Sequence, residues 1–430
     1  MSWERDIPVE FQFPFENSPL YEIIDLTTNE KVSSYGEGYK QIFIASDLPS
    51  FGFKKYRLRQ VSVKDKSDNT ELKISDDSIE NQFYKISFNK SLNKIESIID
   101  KKSNKELLDK NSKYGFNQPL VERFQKNENY AQLNFANQKI EIKNETPVRL
   151  VLQIIRENEL FEKTEYVLWN NIDRVDIQHN VNPEKFVAPE VIEDYGLAFP
   201  FAINDQNIKI EILGGFVDPE KDKLPGSSDD GFSIRRTAAI YNDEQTISLS
   251  SLDSRVFKLR EDESGTGKVL IINPINNFPL DWNRHEKNEG KITFRFSFTS
   301  QPGKFSAPAV SRFGWELNTP SVVRKSWYRS EPSSESYLNI DNENIILNTI
   351  LPSPGDNSFC LRLMNLNPDK KEAGVITSIL FKNMEAFYAT YLGESIKPAE
   401  VENDSLKVEL NPNEIATIQI HIKEKETVKK

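Results

Sequence analysis

Apolar and polar positions alternate with period two along much of the chain. Tyr84, Ile86 and Phe88 alternate with Phe83, Lys85, Ser87 and Asn89, a pattern that predicts a strand with one apolar face. Residues 89–93 form a polar break. Ile95, Ser97 and Ile99 resume the alternation with Ile98 out of step, and residues 100–104 supply a second turn. The stretch 80–109 therefore reads as a hairpin followed by a tight reversal. Upstream, Val9, Phe11 and Phe13 alternate, residues 21–26 end on the turn 27–30, and residues 40–44 form another short strand. Downstream, residues 164–169 and 174–181 are joined across Asn170-Asn171, a hairpin signal. Beyond residue 336, short apolar runs at 337–340, 345–350, 359–364, 374–381, 386–391, 406–410 and 415–422 predict a small immunoglobulin-like sandwich.

Many strands without intervening helical periodicity point to an all-β, antiparallel architecture rather than α/β. Two polar stretches, residues 64–70 and 331–336, read as boundaries, the second as a Pro/Ser linker. They divide the chain into a small β domain (1–65), a large sandwich (75–330) and a small terminal sandwich (337–425).

Composition narrows the function classes. The chain has 430 residues, too many for one small core, and 27 of them are Phe, so apolar content suffices for folding. A net charge of −11 argues against nucleic acid or an anionic membrane as partner, since both attract positive surfaces. Cys360 is the only cysteine, which excludes an intrachain disulfide and suits a small buried hydrophobe. No run of 18 apolar residues exists. The first residues, MSWERDIPVEF, lack the apolar segment of a signal peptide, so a cytoplasmic setting is expected.

Several stretches, in order, resemble the carboxyl-terminal β region of the α-mannosidases of glycoside hydrolase family 38. They are Glu80-Asn81, Ser97-Ile98-Ile99-Asp100-Lys101, Glu106-Leu107-Leu108-Asp109 and Tyr114-Gly115-Phe116-Asn117-Gln118. Further matches are the residues 49–56, Asp194-Tyr195-Gly196-Leu197-Ala198-Phe199-Pro200-Phe201, Asp222-Lys223-Leu224-Pro225-Gly226-Ser227 and Arg312-Phe313-Gly314-Trp315-Glu316. Asn276-Asn277 followed by Trp282-Asn283 resembles the family's Asn-Asn-x-Trp loop, but Phe278, Pro279, Leu280 and Asp281 intervene before the Trp.

The resemblance implies a supersandwich of the galactose mutarotase type flanked by two small β-sandwich domains. It also implies a non-catalytic role, bracing a catalytic α-mannosidase domain that is not in this sequence and that would itself hold the zinc. A mannose-containing carbohydrate would be the ligand. No cofactor is expected in this chain.

The chemistry-bearing residues are few. The histidines are His179, His285 and His421, far apart in sequence and without metal-ligand spacing. His179 shares a strand face with Val175, Ile177 and Val181, which favours a hydrogen-bonded core residue. The alternative is an acid or base on a concave sheet, as in a free-standing epimerase or lyase. Asp100, Asp109 and Asp194 read as turn-fixing residues, Asp229-Asp230 as a solvated pair, and Trp315 as a core aromatic with sugar stacking the lesser reading. The loop 276–283 is the candidate for substrate contact through Asn276, Asn277, Asp281 and Trp282. Amides and carboxylates bond sugar hydroxyls and aromatics cover ring faces, although the same residues suit an ordinary turn. A carbohydrate-binding module acting alone is a third reading.

Overall fold

The computed structural model describes residues 1–12, 21–37, 40–61, 70–123, 130–135, 137–185, 193–228, 231–276, 290–326, 331–353 and 357–423. Strand pairing is antiparallel, and one α-helix, Ala307–Asn318, is found among the described residues. Residues 67–212 and 216–320 form one compact unit; residues 1–66, 213–215 and 321–430 form another.

The first unit is a sandwich of a nine-stranded and a six-stranded sheet. The larger sheet runs from Gln138–Glu145 at one edge through Arg149–Arg156, Phe161–Trp169, Val175–Val181, Ile292–Pro302, Gln245–Ser251, Thr237–Tyr241 and Asn207–Ile212 to Gly215–Val217. The smaller runs Ala131–Gln132, Gln118–Arg123, Glu193–Phe199, Gly267–Asn276, Val256–Asp262, Phe232–Ser233. The inward positions of each strand are apolar, as the period-two pattern requires, and phenylalanines fill the space between the sheets. Phe116 meets Phe199, Phe201 and Phe298 at ring separations of 5.5, 5.9 and 5.7 Å, each edge-on.

The hairpin over 80–109 is present as Tyr84–Asn89 and Lys94–Asp100, and Lys105–Glu106 adds the reversal. Its irregularity has a structural cause. The register steps from Ser87↔Ser97 to Phe88↔Ile95, a bulge that leaves Glu96 unmatched. Ile95 and Ile98 are therefore buried while Ile99 is only half-buried. The turn residue Asn81 is completely buried. Its Oδ1 accepts from the backbone N–H of Phe83 (2.9 Å) and Tyr84 (2.7 Å), and its Nδ2 donates to the Trp169 carbonyl (2.9 Å). Asn81 thus ties the hairpin to the large sheet, a task no other side chain of that size performs with both donor and acceptor. Asp100 does hold a turn, accepting from Lys102 N and Ser103 Oγ at 2.9 Å each.

In the second unit, Arg5–Gln12, Lys40–Leu48 and Ser34–Glu37 make one small sheet, and Lys31–Val32, Tyr21–Asp25 and Tyr56–Gln60 another. The carboxyl-terminal part is a sandwich of a four-stranded and a five-stranded sheet around Leu361, Leu363, Ile376, Leu406, Ile418 and Ile420. Cys360 is buried there as a free thiol.

The linker expected over 331–336 needs correction. Ser334–Ser336 is a strand paired with Gly52–Lys54, Lys55 N donates to the Ser333 carbonyl at 2.9 Å, and Ser336 Oγ donates to the Ser50 carbonyl at 2.7 Å. Polar composition marked a solvent-facing segment, but small polar residues also suit a short strand whose bonding comes from the backbone. Under native conditions a Glu-specific protease should therefore leave the Glu335–Ser336 bond intact. Early cleavage there, seen by mass spectrometry of the fragments, would mean that the pairing does not persist.

Candidate functional site

Of the four residues expected to contact substrate, Asn276 closes the strand Gly267–Asn276, its backbone paired with Asp194. Its side chain, and Asn277, Asp281 and Trp282 entirely, lie outside the described residues. So do Asp229-Asp230 and His285. In sequence the loop follows the strand Gly267–Asn276, and the sheet that holds this strand carries a concentration of buried polar groups.

Asp194 is not a turn residue. It lies in the strand Glu193–Phe199, on the face of the six-stranded sheet away from the main core, and is 1% exposed. Lys258, from Val256–Asp262, is buried against it in an ion pair and also meets Glu122 Oε2 at 3.1 Å. Arg260 Nη2 reaches Glu122 Oε1 at 3.4 Å. Tyr130 lies over this group: its hydroxyl donates to Asp194 Oδ2 at 3.3 Å and accepts from Asn273 Nδ2 at 2.7 Å. Lys258 Nζ and the Arg260 guanidinium stand 5.4 and 5.3 Å from the Tyr130 ring centroid. Burial, then the adjacent Asp194 carboxylate, pushes the Tyr130 phenol far above its usual range, so it stays protonated and a donor.

Two backbone features bring these groups together. Register steps from Tyr195↔Ile275 to Leu197↔Ile272, so the strand Gly267–Asn276 carries an extra residue at Asn273-Pro274. Pro274 cannot donate a ladder bond, and a bulge is where an interior strand tolerates it. Gly196 is the second feature. A Cβ there would meet Ile271 Cγ2 at 2.5 Å and Tyr130 Cε1 at 3.3 Å, so glycine leaves the room that Ile271 and the tyrosine take up against the strand. On the opposite face Glu193, also fully buried, accepts from Arg123 Nε at 2.7 Å and from the Tyr195 hydroxyl.

His179 is wholly buried between the sheets, with Phe161 and Phe296 edge-on at 5.8 and 6.0 Å. Both ring nitrogens are bonded: Nδ1 to Thr164 Oγ1 at 3.1 Å and Nε2 to Asn117 Oδ1 at 2.9 Å. Burial, reinforced by nearby Arg156, holds its pKa well below the usual histidine range. It is a neutral, fully engaged core residue with no open side for a substrate. The Tyr-Gly-Phe-Asn-Gln stretch owes its form to this network, because Asn117 adopts a φ of 54° and also donates to the Tyr166 hydroxyl at 2.9 Å.

Trp315 lies on the helix Ala307–Asn318, half-buried, with the guanidinium of Arg236 3.9 Å and that of Arg235 5.5 Å from its ring. Its face is taken by arginine, not offered to a sugar. Asp109 bridges segments, accepting from Asn111 N at 3.0 Å and from Thr266 N. Among the described residues no group of three or more His, Cys, Asp or Glu is placed to hold a metal ion. Among them, too, no helix is long and apolar enough to cross a membrane.

No family model matches the chain, and no curated protein matches it in sequence. Solved structures do. An α-mannosidase from Enterococcus faecalis V583 superposes with a TM-score of 0.69 at 12% identity, over 97% of this chain and 54% of its own. A protein in glycosyl hydrolase family 38 from Enterococcus faecalis gives 0.71 at 13% identity, over 97% of this chain and 56% of its own. The chain thus has the fold of about half of each of these proteins.

Proposed function

We propose that this chain is the non-catalytic β region of an α-mannosidase-like glycoside hydrolase of family 38, bracing a catalytic domain and contacting a mannoside. The observation that carries the reading is the superposition on nearly the whole of this chain but on only 54–56% of the mannosidase-type structures. The ordered motifs from Glu80-Asn81 to Trp315-Glu316 support it. Cleavage and zinc binding fall, on this reading, to the catalytic domain. The described residues do not fit a zinc site: His179 has both nitrogens engaged in the core, and His421 lies on a strand of the terminal sandwich. A free-standing epimerase using His179 is disfavoured by that same engagement.

The test is enzymatic. The pure chain should not cleave aryl α-mannosides with or without zinc, and should raise kcat/KM when combined with its catalytic domain. Zinc-dependent turnover by the chain alone would overturn the assignment. So would full activity of a catalytic domain that neither binds this chain nor responds to it.

A further inference from the structure

We propose that Asp194 and Asn273 form a binding site for a neutral, hydroxyl-bearing ligand, a saccharide, on the outer face of the six-stranded sheet. The argument starts from two oxygens. Asp194 Oδ1 and Asn273 Oδ1 are both buried and both without a hydrogen-bond partner. Their residues are 1% and 8% exposed, so neither oxygen is compensated by bulk water. A buried acceptor left unmet costs about 1–3 kcal/mol. Two such acceptors, on groups that both bond the Tyr130 hydroxyl, mark a position that something else fills.

The surroundings define what that is. The other atom of each group is fixed by the same hydroxyl: Tyr130 donates to Asp194 Oδ2 and accepts from Asn273 Nδ2. The amide is thereby oriented, and Oδ1 is its carbonyl oxygen, so the missing partner must be a donor at both positions. An anion has none to give. A cation is disfavoured because the charge is already balanced, Asp194 and Glu122 against Lys258 and Arg260. What remains is a neutral group with two donors, a description that fits a buried water as well as a pair of hydroxyls. Adjacent hydroxyls of a sugar meet that need, and carboxylate plus amide acceptors beside an aromatic ring are suited to them. Glu122 and Arg260, beside them, are half-buried. The bulge at Asn273-Pro274 turns the amide to this face, and Gly196 makes room for the tyrosine that holds it.

This inference uses only residues of this chain and does not depend on the presence of a catalytic domain. It is tested on the isolated chain by saturation-transfer-difference NMR and calorimetry with methyl α-mannopyranoside, methyl α-glucopyranoside and methyl β-galactopyranoside. At least one should bind. Asn273→Leu, which removes the acceptor, should weaken binding by about tenfold, the loss of one good hydrogen bond. Asn273→Asp keeps an acceptor at that position and should restore part of it. Circular dichroism melts separate lost binding from lost folding, and if Asn273→Leu does not fold, Tyr130→Phe takes its place, since it frees both groups from their orienting hydroxyl. The wild-type structure solved with the tightest glycoside gives a readout that needs no variant: sugar oxygens at Asp194 Oδ1 and Asn273 Oδ1 support the site. Water alone at both oxygens, no binding of any glycoside, or binding equal in wild type and Asn273→Leu overturns it. Such a failure leaves the mannosidase reading standing, because that reading is decided by turnover.

Discussion

Replacing Arg236 with methionine should lower the stability of the large sandwich by about 3–5 kcal/mol near neutral pH. Arg236 and Glu211 face each other on the outer side of the nine-stranded sheet, with side chains 6% and 4% exposed. Arg236 Nε donates to Glu211 Oε2 at 3.2 Å and its Nη2 pairs with Oε1, a two-pronged contact that a lysine could not copy. Methionine fills the volume but leaves Glu211 buried and unpaired, and the Arg236–Trp315 stacking is lost with it. The deficit should depend on pH in a defined direction. Burial already raises the Glu211 pKa, and Arg236, Arg235 and Arg255 oppose that rise. A raised folded-state pKa means a stability contribution present at low pH and lost as pH climbs through it. Removing Arg236 takes away the largest opposing influence and lifts the pKa further. The variant should therefore recover part of its loss between about pH 7 and about pH 5, where Glu211 takes up a proton in the folded state first. Urea denaturation at the two pH values measures this. A deficit that stays constant or grows on acidification would show that Glu211 is not the group left stranded.

Much of the fold could be read in the sequence because a half-buried strand prints its pattern directly. Phe294, Phe296 and Phe298 alternate with Arg295, Ser297 and Thr299, and it is the phenylalanines that reach the core. The pattern misleads where the backbone slips. Ile99 looked like the inward residue of its strand until the bulge opposite Ser87 and Phe88 handed that place to Ile98. The helix Ala307–Asn318 leaves a weak apolar period in the sequence, since small residues, Ala307, Ser311 and Gly314, make up half of its buried side. Its start was nevertheless signalled: Ser306 caps it, accepting from Ala309 N, and Pro308 occupies the first turn, where its missing N–H costs nothing.

The polar site was far less legible. Glu122, Tyr130, Asp194, Lys258 and Asn273 span more than a hundred residues and come from different segments, so no local spacing relates them. Only the strand order, with Glu193–Phe199 between Gln118–Arg123 and Gly267–Asn276, sets them side by side. The residue type of Asp194 suggests a turn, yet it lies within the strand Glu193–Phe199. Two signals did stand in the sequence: Pro274 inside an otherwise strand-like run, which implies a bulge, and Gly196 inside another, which implies a close approach.

His179 was legible in both its face and its consequence, and its titration supplies the second large effect. Arg156 Nη1 donates to Thr164 Oγ1 at 2.9 Å, the Thr164 hydroxyl lies 3.1 Å from His179 Nδ1, and Nε2 lies 2.9 Å from Asn117 Oδ1. The arrangement closes if Thr164 donates to Nδ1 and Nε2–H donates to Asn117, which is the neutral tautomer. A second proton on the ring would turn Nδ1 into a donor facing a hydroxyl already taken by an arginine, inside a core that penalises charge. The folded-state pKa is accordingly depressed far below the unfolded value of 6.5. For such a group the stability contribution is present above the unfolded pKa and is lost as pH falls, because only the unfolded chain binds the proton. The slope approaches about 1.4 kcal/mol per pH unit, so the drop from about pH 6.5 to about pH 5 should amount to roughly 2 kcal/mol from this residue alone. His179→Gln removes the titration. It should be less stable than wild type above about pH 7, by roughly 1–3 kcal/mol for the disturbed buried bonds. On acidification its stability curve should close on that of the wild type by up to about 2 kcal/mol. Parallel curves for the two proteins across that range, in chemical denaturation followed by circular dichroism, would show that His179 keeps an ordinary pKa and is not the neutral core residue described.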